Sequence, residues 1–126
     1  MKPISEGDKF ARIETRVVNF RQLVAPGIGV VLVAPSPLNG TITSVTMHFP
    51  PGTLSLVQVA FRKGTKPVAP IQGFIALDFA TPTYPTSEPV LSSDDLYVEI
   101  RNTDAVFGHT ISVDVTIVGT FRPVKV

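Results

Sequence analysis

The chain has 126 residues, an ordinary length for one domain, and a net charge of +1. Only 17% of its residues are charged, against about 25% in a typical soluble domain. The absence of cysteine excludes a disulfide framework, a thiolate metal site and a cysteine nucleophile. Because the charge is near neutral and no basic cluster exists, we expect no nucleic-acid binding. We also expect no membrane segment, because the longest apolar run is too short.

Residues 22–61 form the most unusual stretch, because these forty residues contain no Asp, Glu, Lys or Arg. A domain of this size cannot hide so long a stretch from water. Part of it must be uncharged surface, and we expect a partner protein to cover some of that surface.

Alternating apolar and polar residues predict short β-strands along the chain. Residues 10–18 place Ile13 and Val17 on one face and charged side chains on the other, so we expect the charged face to meet water or a polar partner. Residues 28–34 are apolar on both faces. This pattern predicts a strand that is either buried on two sides or covered on one side by a neighbouring subunit.

Turn signals separate the next elements. Asn39-Gly40 predicts a tight hairpin, because both residues tolerate positive φ. Residues 41–49 and 54–62 are predicted strands. Residues 80–89 are rich in Pro, Thr and Ser, and we expect them to cross between sheets without regular structure.

The strands predicted over residues 96–101 and 111–117 alternate most cleanly, and no long segment has a helical period. Seven to nine short strands predict an all-β fold: an antiparallel, jelly-roll-like β-sandwich of one domain. We expect the sandwich to occupy residues 10–118. Extended N- and C-terminal arms are expected over residues 1–9 and 119–126.

The residues that most often carry chemistry show no catalytic or metal-binding pattern. His48 and His109 lack the spacing of a metal pair and have no recognisable acid partner. No Gly-x-Ser-x-Gly motif is present. Loop residues Asp94, Asp95 and Asp104 are too few for calcium and are expected to cap turns. We therefore expect no enzymatic activity, no metal and no cofactor.

We expect apolar residues of the arms and of the uncharged strands to contact partner proteins. Both arms carry apolar residues between polar ones, a composition unlike that of a disordered tail. The candidate contact residues are Ile4, Phe10, Phe20, Leu23, Val31, Val33, Phe121, Val124 and Val126.

The sequence pattern of three segments resembles that of a known group of proteins. They are residues 73–78 (GFIALD), 96–102 (LYVEIRN) and 109–113 (HTISV). In style they are similar to the small β-sandwich decoration, or cement, proteins of tailed-phage capsids. The resemblance implies a virion protein that assembles in the host cytoplasm and lies on the capsid exterior. Its partners would be copies of itself, commonly in a homotrimer, and the lattice of the major capsid protein.

Two other functions remain open. A single-jelly-roll coat protein would build the shell itself, although 126 residues is short for that task. A carbohydrate-binding or adhesin module would bind its ligand with the loops at residues 63–67 and 102–109. Tyr97, on the polar face of its strand, is the aromatic residue expected to be most exposed in such a module.

Overall fold

The computed structural model describes residues 12–121, which form two four-stranded antiparallel sheets packed face to face. The predicted all-β antiparallel sandwich is confirmed. The strands are β1 (Ile13–Val24), β2 (Gly29–Pro35), β3 (Asn39–His48), β4 (Val57–Lys63), β5 (Lys66–Ala69), β6 (Thr83–Val90), β7 (Asp95–Asn102) and β8 (His109–Thr120).

The strand order is that of a jelly roll. One sheet, sheet A, has the order β1-β8-β3-β6, and the other, sheet B, has the order β2-β7-β4-β5. The first strand therefore pairs with the last, the second with the seventh, the third with the sixth and the fourth with the fifth. This nested pairing is what results when one long hairpin folds over into two sheets.

The core lies between the sheets and is built from alternate residues of each strand. In β8, Ile111, Val113, Val115 and Ile117 point inward, as their alternation predicts. In β7, Leu96, Val98 and Ile100 do the same. Side chains of about this size contribute roughly 1.5–3 kcal/mol each when they are fully buried.

The faces of β1 differ from the prediction. Ile13 and Val17 are 71% and 58% exposed, whereas Phe20 and Val24 of the opposite face are buried in the core. The strand is also longer than the predicted residues 10–18, since it continues without a break to Val24. Phe20 therefore belongs to the core and not to an exposed contact surface. The anchoring of Phe20 and Val24 in the core sets the register of the whole strand.

β2 is an edge strand with one face in the core and one face outward. Val30, Leu32 and Ala34 pack against the core, whereas Val31 and Val33 point outward and are about half exposed. Of the two predictions for this strand, burial on both sides by the chain itself is wrong. Its outward face is apolar surface.

Asn39-Gly40 does not form a hairpin turn. β3 begins at Asn39, and the link from β2 crosses from sheet B to sheet A, so the strands on either side of it do not pair. Gly40 lies directly opposite Gly119 of β8. Glycine is needed at position 40 because two strands approach each other closely there, and not because the chain turns.

Two further segments are more regular than expected. Residues 83–90 form β6, the outermost strand of sheet A, where the missing N–H groups of Pro85 and Pro89 are tolerated. β8 extends to Thr120, so the predicted C-terminal arm begins later than residue 119, and Phe121 is 45% exposed. The predicted N-terminal arm lies outside the described residues.

Candidate functional site

Four connections meet at one end of the sandwich, which we call the loop end. They are residues 25–28, 49–56, 70–82 and 103–108, and they come together because β1, β3, β5 and β7 all finish at this end. Eight large apolar side chains at the loop end each expose more than a third of their surface. They are Leu23, Ile28, Leu54, Leu56, Ile71, Phe79, Val106 and Phe107.

The loop end has almost no charge of its own. In the four connections the charged residues are Asp78 and Asp104, and both carboxylates accept hydrogen bonds within the chain. Two of the connections come from the charge-free stretch of residues 22–61. Exposed apolar side chains that cluster in this way mark interaction surfaces more often than ordinary solvent-facing surface.

Asp78 fixes the connection between β3 and β4. Its Oδ1 accepts hydrogen bonds from the backbone N–H of Leu54 and of Gly52, each at 3.1 Å, and from Thr53 Oγ1 at 3.3 Å. The bond from Leu54 is the main reason that the pKa of Asp78 is lowered, and the bonds from Gly52 and Thr53 add to it. The carboxylate thus ties residues 52–54 to residue 78.

Asp104 plays the same part in the connection between β7 and β8. Its Oδ2 lies 2.9 Å from Nε2 of His109, and its Oδ1 accepts the N–H groups of Val106 and Phe107. The hydrogen bond with His109, followed by those two amides, lowers the pKa of Asp104. His109 therefore has an acid partner, contrary to the prediction.

Asn102 joins two of the loops through its buried amide. Its Nδ2 donates to the carbonyl oxygens of Val24 and Phe107, each at 3.0 Å, and to that of Ala25 at 3.3 Å. Its Oδ1 accepts the N–H of Asp104 at 2.9 Å. One side chain therefore satisfies polar groups from both connections.

The loop end also holds three non-glycine residues in the left-handed region of φ. These are Leu54 (51°), Ser55 (59°) and Phe79 (47°). Such conformations cost on the order of 1–3 kcal/mol each and persist only where the surroundings enforce them. The hydrogen bonds of Asp78 and the backbone bonds between Phe49 and Ala80, at 2.8 and 3.0 Å, supply that enforcement.

A groove of about 450 Å³ lies where the loop end meets the outward face of sheet A. Its lining comes from β1, β3, β8 and the two loops that follow Phe49 and Asp78. The lining residues are Arg21, His48, Phe49, Pro50, Pro51, Phe79, Thr81, Thr110 and Ser112.

A hydrogen-bonded cluster borders this groove. His48 Nε2 lies 3.2 Å from Asp114 Oδ2, and Asn19 Nδ2 donates to Asp114 Oδ1 at 2.6 Å. Asn19 also donates to Ser112 Oγ at 3.1 Å. The second histidine thus has an acid partner as well, again contrary to the prediction.

The outward face of sheet B does not offer the bare aromatic surface expected of Tyr97. The guanidinium of Arg62 lies 4.7 Å from the centre of the Tyr97 ring, and Arg101 lies 4.4 Å from that of Phe74. Glu99 forms ion pairs with both arginines. Within residues 12–121, Phe79 and Phe107 are the most exposed aromatic side chains.

The predicted contact residues do not form one surface. Leu23 belongs to the loop end, Val31 and Val33 lie on the outward face of sheet B, and Phe121 follows the far end of β8. Phe20 is in the core. Ile4, Phe10, Val124 and Val126 lie outside the described residues.

Sequence patterns did not reveal Val106 and Phe107 as exposed residues. Their signal is the presence of large apolar residues inside segments that otherwise contain turn-forming residues.

The described residues contain neither a metal-binding cluster nor a membrane-spanning helix. No three His, Asp or Glu side chains of residues 12–121 converge as metal ligands. Asp94 accepts the N–H of Leu91, as expected of a turn cap, and Asp104 lies at the opposite end of β7. No helix in the same range is long and apolar enough to cross a bilayer.

Comparisons with known proteins give no family. No family model and no curated protein matches the sequence. A crystal structure of FlhE is similar at 14% identity with a TM-score of 0.45, over 86% of this chain and 98% of that one. A family two carbohydrate esterase from Cellvibrio japonicus is similar at 15% identity with a TM-score of 0.46, over 91% of this chain and 37% of that one. Similarity at this level carries no functional inference.

Proposed function

We propose that this protein is a structural virion protein without enzymatic activity, which binds the outside of a capsid as a decoration protein. It attaches to the lattice of the major capsid protein through the loop end and associates with copies of itself, as a homotrimer. It acts on the capsid exterior after assembly in the host cytoplasm. The observation that carries the proposal is the loop end, where eight exposed apolar side chains accompany two carboxylates that are already hydrogen-bonded.

The loop end is suited to a protein partner by its chemistry. Each Å² of apolar surface that the partner covers contributes about 25 cal/mol, before the cost of association. The carboxylates of Asp78 and Asp104 already accept hydrogen bonds from within the chain, which lowers the cost of covering them with a partner. A repeating lattice adds avidity, so a modest contact at each copy is sufficient.

The rigidity of the loops favours binding further. Asp78, Asp104 and Asn102 hold the connections in place, and the left-handed residues Leu54 and Phe79 keep fixed conformations. Loops that are already ordered lose little conformational entropy when they dock. The loop end therefore needs little rearrangement to contact a coat surface.

Self-association uses a different surface in this proposal. Val31 and Val33 form an apolar strip on the outward face of β2, beside the free edge of sheet B. Burial of this strip between subunits accounts for the charge-free character of residues 28–34. Light scattering at micromolar concentration tests this part. A closed oligomer that becomes a monomer in Val31→Ser/Val33→Ser supports the proposal, whereas a monomeric parent chain contradicts it.

Attachment is tested by sedimentation with shells of the coat protein from the same phage. The double variant Leu54→Ser/Phe107→Ser removes two exposed side chains of the loop end. Leu91→Ser is the matched control, because Leu91 is 58% exposed at the opposite end. Loss of binding in the double variant alone supports the proposal. Equal binding of parent and double variant overturns it.

A single-jelly-roll coat protein is the second candidate, and the strand order favours it, because jelly rolls recur in viral capsids. That is an analogy of fold and does not by itself assign a function. Expression of the chain alone distinguishes the two. Closed particles in electron micrographs indicate a coat protein, whereas small oligomers that bind preformed shells indicate a decoration protein.

A further inference from the structure

The groove beside the loop end shares only Phe79 with the eight exposed apolar side chains, and it supports a second proposal. We infer that it is a binding site for an acidic sugar residue, a pyranose that bears a carboxylate. Three features of the groove support this assignment: a row of polar side chains, a cation without an acid partner among the described residues, and an exposed aromatic ring on a constrained backbone.

The polar side chains lie on three adjacent strands. Arg21 of β1 is the register partner of Ser112 in β8, and Ser112 is the partner of His48 in β3. Neighbouring strands are about 4.8 Å apart, so the row spans about 10 Å on the outward face of sheet A. A hydroxyl at its centre is flanked by a guanidinium and an imidazole. Because His48 Nε2 is engaged with Asp114, Arg21 is the flanking group left to bind a carboxylate above Ser112.

Of the charged residues in and beside this row, Asp114 has hydrogen-bond partners, whereas Arg21 has no acid partner among the described residues. Asp114 is already engaged by His48 at 3.2 Å and by Asn19 at 2.6 Å. Arg21 forms no ion pair with any acid among residues 12–121. The groove thus presents a positive charge whose preferred ligand is a carboxylate, which a guanidinium can bind through two hydrogen bonds.

The aromatic ring is that of Phe79, which is 75% exposed on the rim of the groove. Its backbone is left-handed, and its N–H donates to the carbonyl oxygen of Pro50. A strained, exposed aromatic residue that is held on both sides indicates a site organised for binding. A phenyl ring in this position offers an apolar platform for the C–H face of a pyranose.

Each part of the proposed ligand has a matching group in the groove. The carboxylate binds Arg21 and Ser112, and the sugar hydroxyls have the hydroxyl groups of Thr81 and Thr110 as partners. The C–H face lies on Phe79. The volume of about 450 Å³ is within the usual range for small-ligand sites and admits a sugar ring. A neutral sugar would leave Arg21 without its anion and would bind less tightly.

The test is a titration of the isotope-labelled chain with sodium glucuronate, followed by amide chemical shifts, with glucose as the neutral counterpart. We expect the amides of residues 21, 48, 79 and 112 to shift at millimolar glucuronate and to respond much less to glucose. Absence of shifts in the groove, or an equal response to both sugars, overturns the inference.

Two variants and one control identify the contacts. Arg21→Gln is expected to weaken glucuronate binding about tenfold, the usual effect of losing a charge-assisted hydrogen bond, and to leave the response to glucose unchanged. Phe79→Ala is expected to weaken both sugars. Arg12→Gln, an exposed arginine before the distant end of β1, is the control and should bind as the parent does. If Arg12→Gln weakens binding as much as Arg21→Gln, general charge attraction explains the result and the site assignment is wrong.

Discussion

Gly40 and Gly119 face each other across β3 and β8, so closely that neither position has room for a side chain. A Cβ on Gly40 would overlap the carbonyl oxygen of Val118, and a Cβ on Gly119 would overlap that of Asn39. Both obstacles are backbone atoms, which cannot rotate away. The pair lets the strands of sheet A approach where the chain enters β3.

The first prediction concerns this pair. Gly40→Ala is expected to lower the free energy of unfolding by about 3 kcal/mol, because the strands must separate to admit the methyl group. Gly29→Ala is the control, because a Cβ there meets Ile100 O at an ordinary distance of 3.6 Å. Urea denaturation measures both variants. Equal stabilities for the two would show that the close approach is not maintained in solution.

The second prediction separates core from surface on one strand. Phe20 is 5% exposed and Leu23 is 63% exposed, because they lie on opposite faces of β1. Phe20→Ala is expected to destabilise the fold by about 3–5 kcal/mol. Leu23→Ala is expected to change stability by less than about 0.5 kcal/mol. Thermal unfolding at low protein concentration checks this, and a large effect of Leu23→Ala would mean that a partner subunit buries it.

The third prediction concerns the buried amide of Asn102. Asn102→Ala removes the buried Nδ2 donor from the carbonyl oxygens of Val24 and Phe107, so we expect a loss of about 2–4 kcal/mol. Asn19→Ala is the matched control, because the amide of Asn19 is at the exposed surface and water can replace it. A cost no larger than that of the control would show that water satisfies both loops.

The fourth prediction is a dependence of stability on pH. The pKa of Asp104 is lowered, first by the hydrogen bond with His109 and then by the amides of Val106 and Phe107. A lowered pKa in the folded state means that the ionised carboxylate stabilises the fold. This contribution is complete above the ordinary aspartate pKa of 3.8 and is lost as the pH falls through the lowered value.

Asp104→Asn tests this assignment. We expect the variant to unfold at a lower temperature than the parent near neutral pH, and the difference to shrink as the pH falls below about 4. Calorimetry over that range measures the difference. A difference that stays constant with pH would show that the charge of Asp104 contributes nothing and that the variant acts only through packing.

The sequence predicted the central strands best. β7 and β8 each lie between two neighbours in their sheets, and their inward residues are in the core whereas their outward residues are mostly polar. That geometry produces the clean alternation of Leu96 to Ile100 and of Ile111 to Ile117. β6 was missed because it is an edge strand, where Pro85 and Pro89 are permitted and the pattern resembles a loop.

Long-range partners explain the other errors. Asn39-Gly40 has the local signature of a hairpin, but the reason for the glycine is Gly119, which local patterns do not reveal. His48 meets Asp114, 66 residues away along the chain, because β3 and β8 are neighbours. The exposure of Val106 and Phe107 could not be predicted from the sequence either, because apolar residues are normally assigned to the core.

The edge strands on the two sides of the sandwich differ in their ability to pair with a strand of another molecule. β5 and β6 border one side and carry Pro67, Pro85 and Pro89, which lack the N–H groups that strand addition requires. β1 and β2 border the other side; β1 contains no proline, and β2 has one only at its last residue, Pro35. Two molecules that pair through this side turn their proline-bearing edges outward. Strand addition therefore favours a closed pair over continued growth, which protects a surface poor in charge from forming fibres.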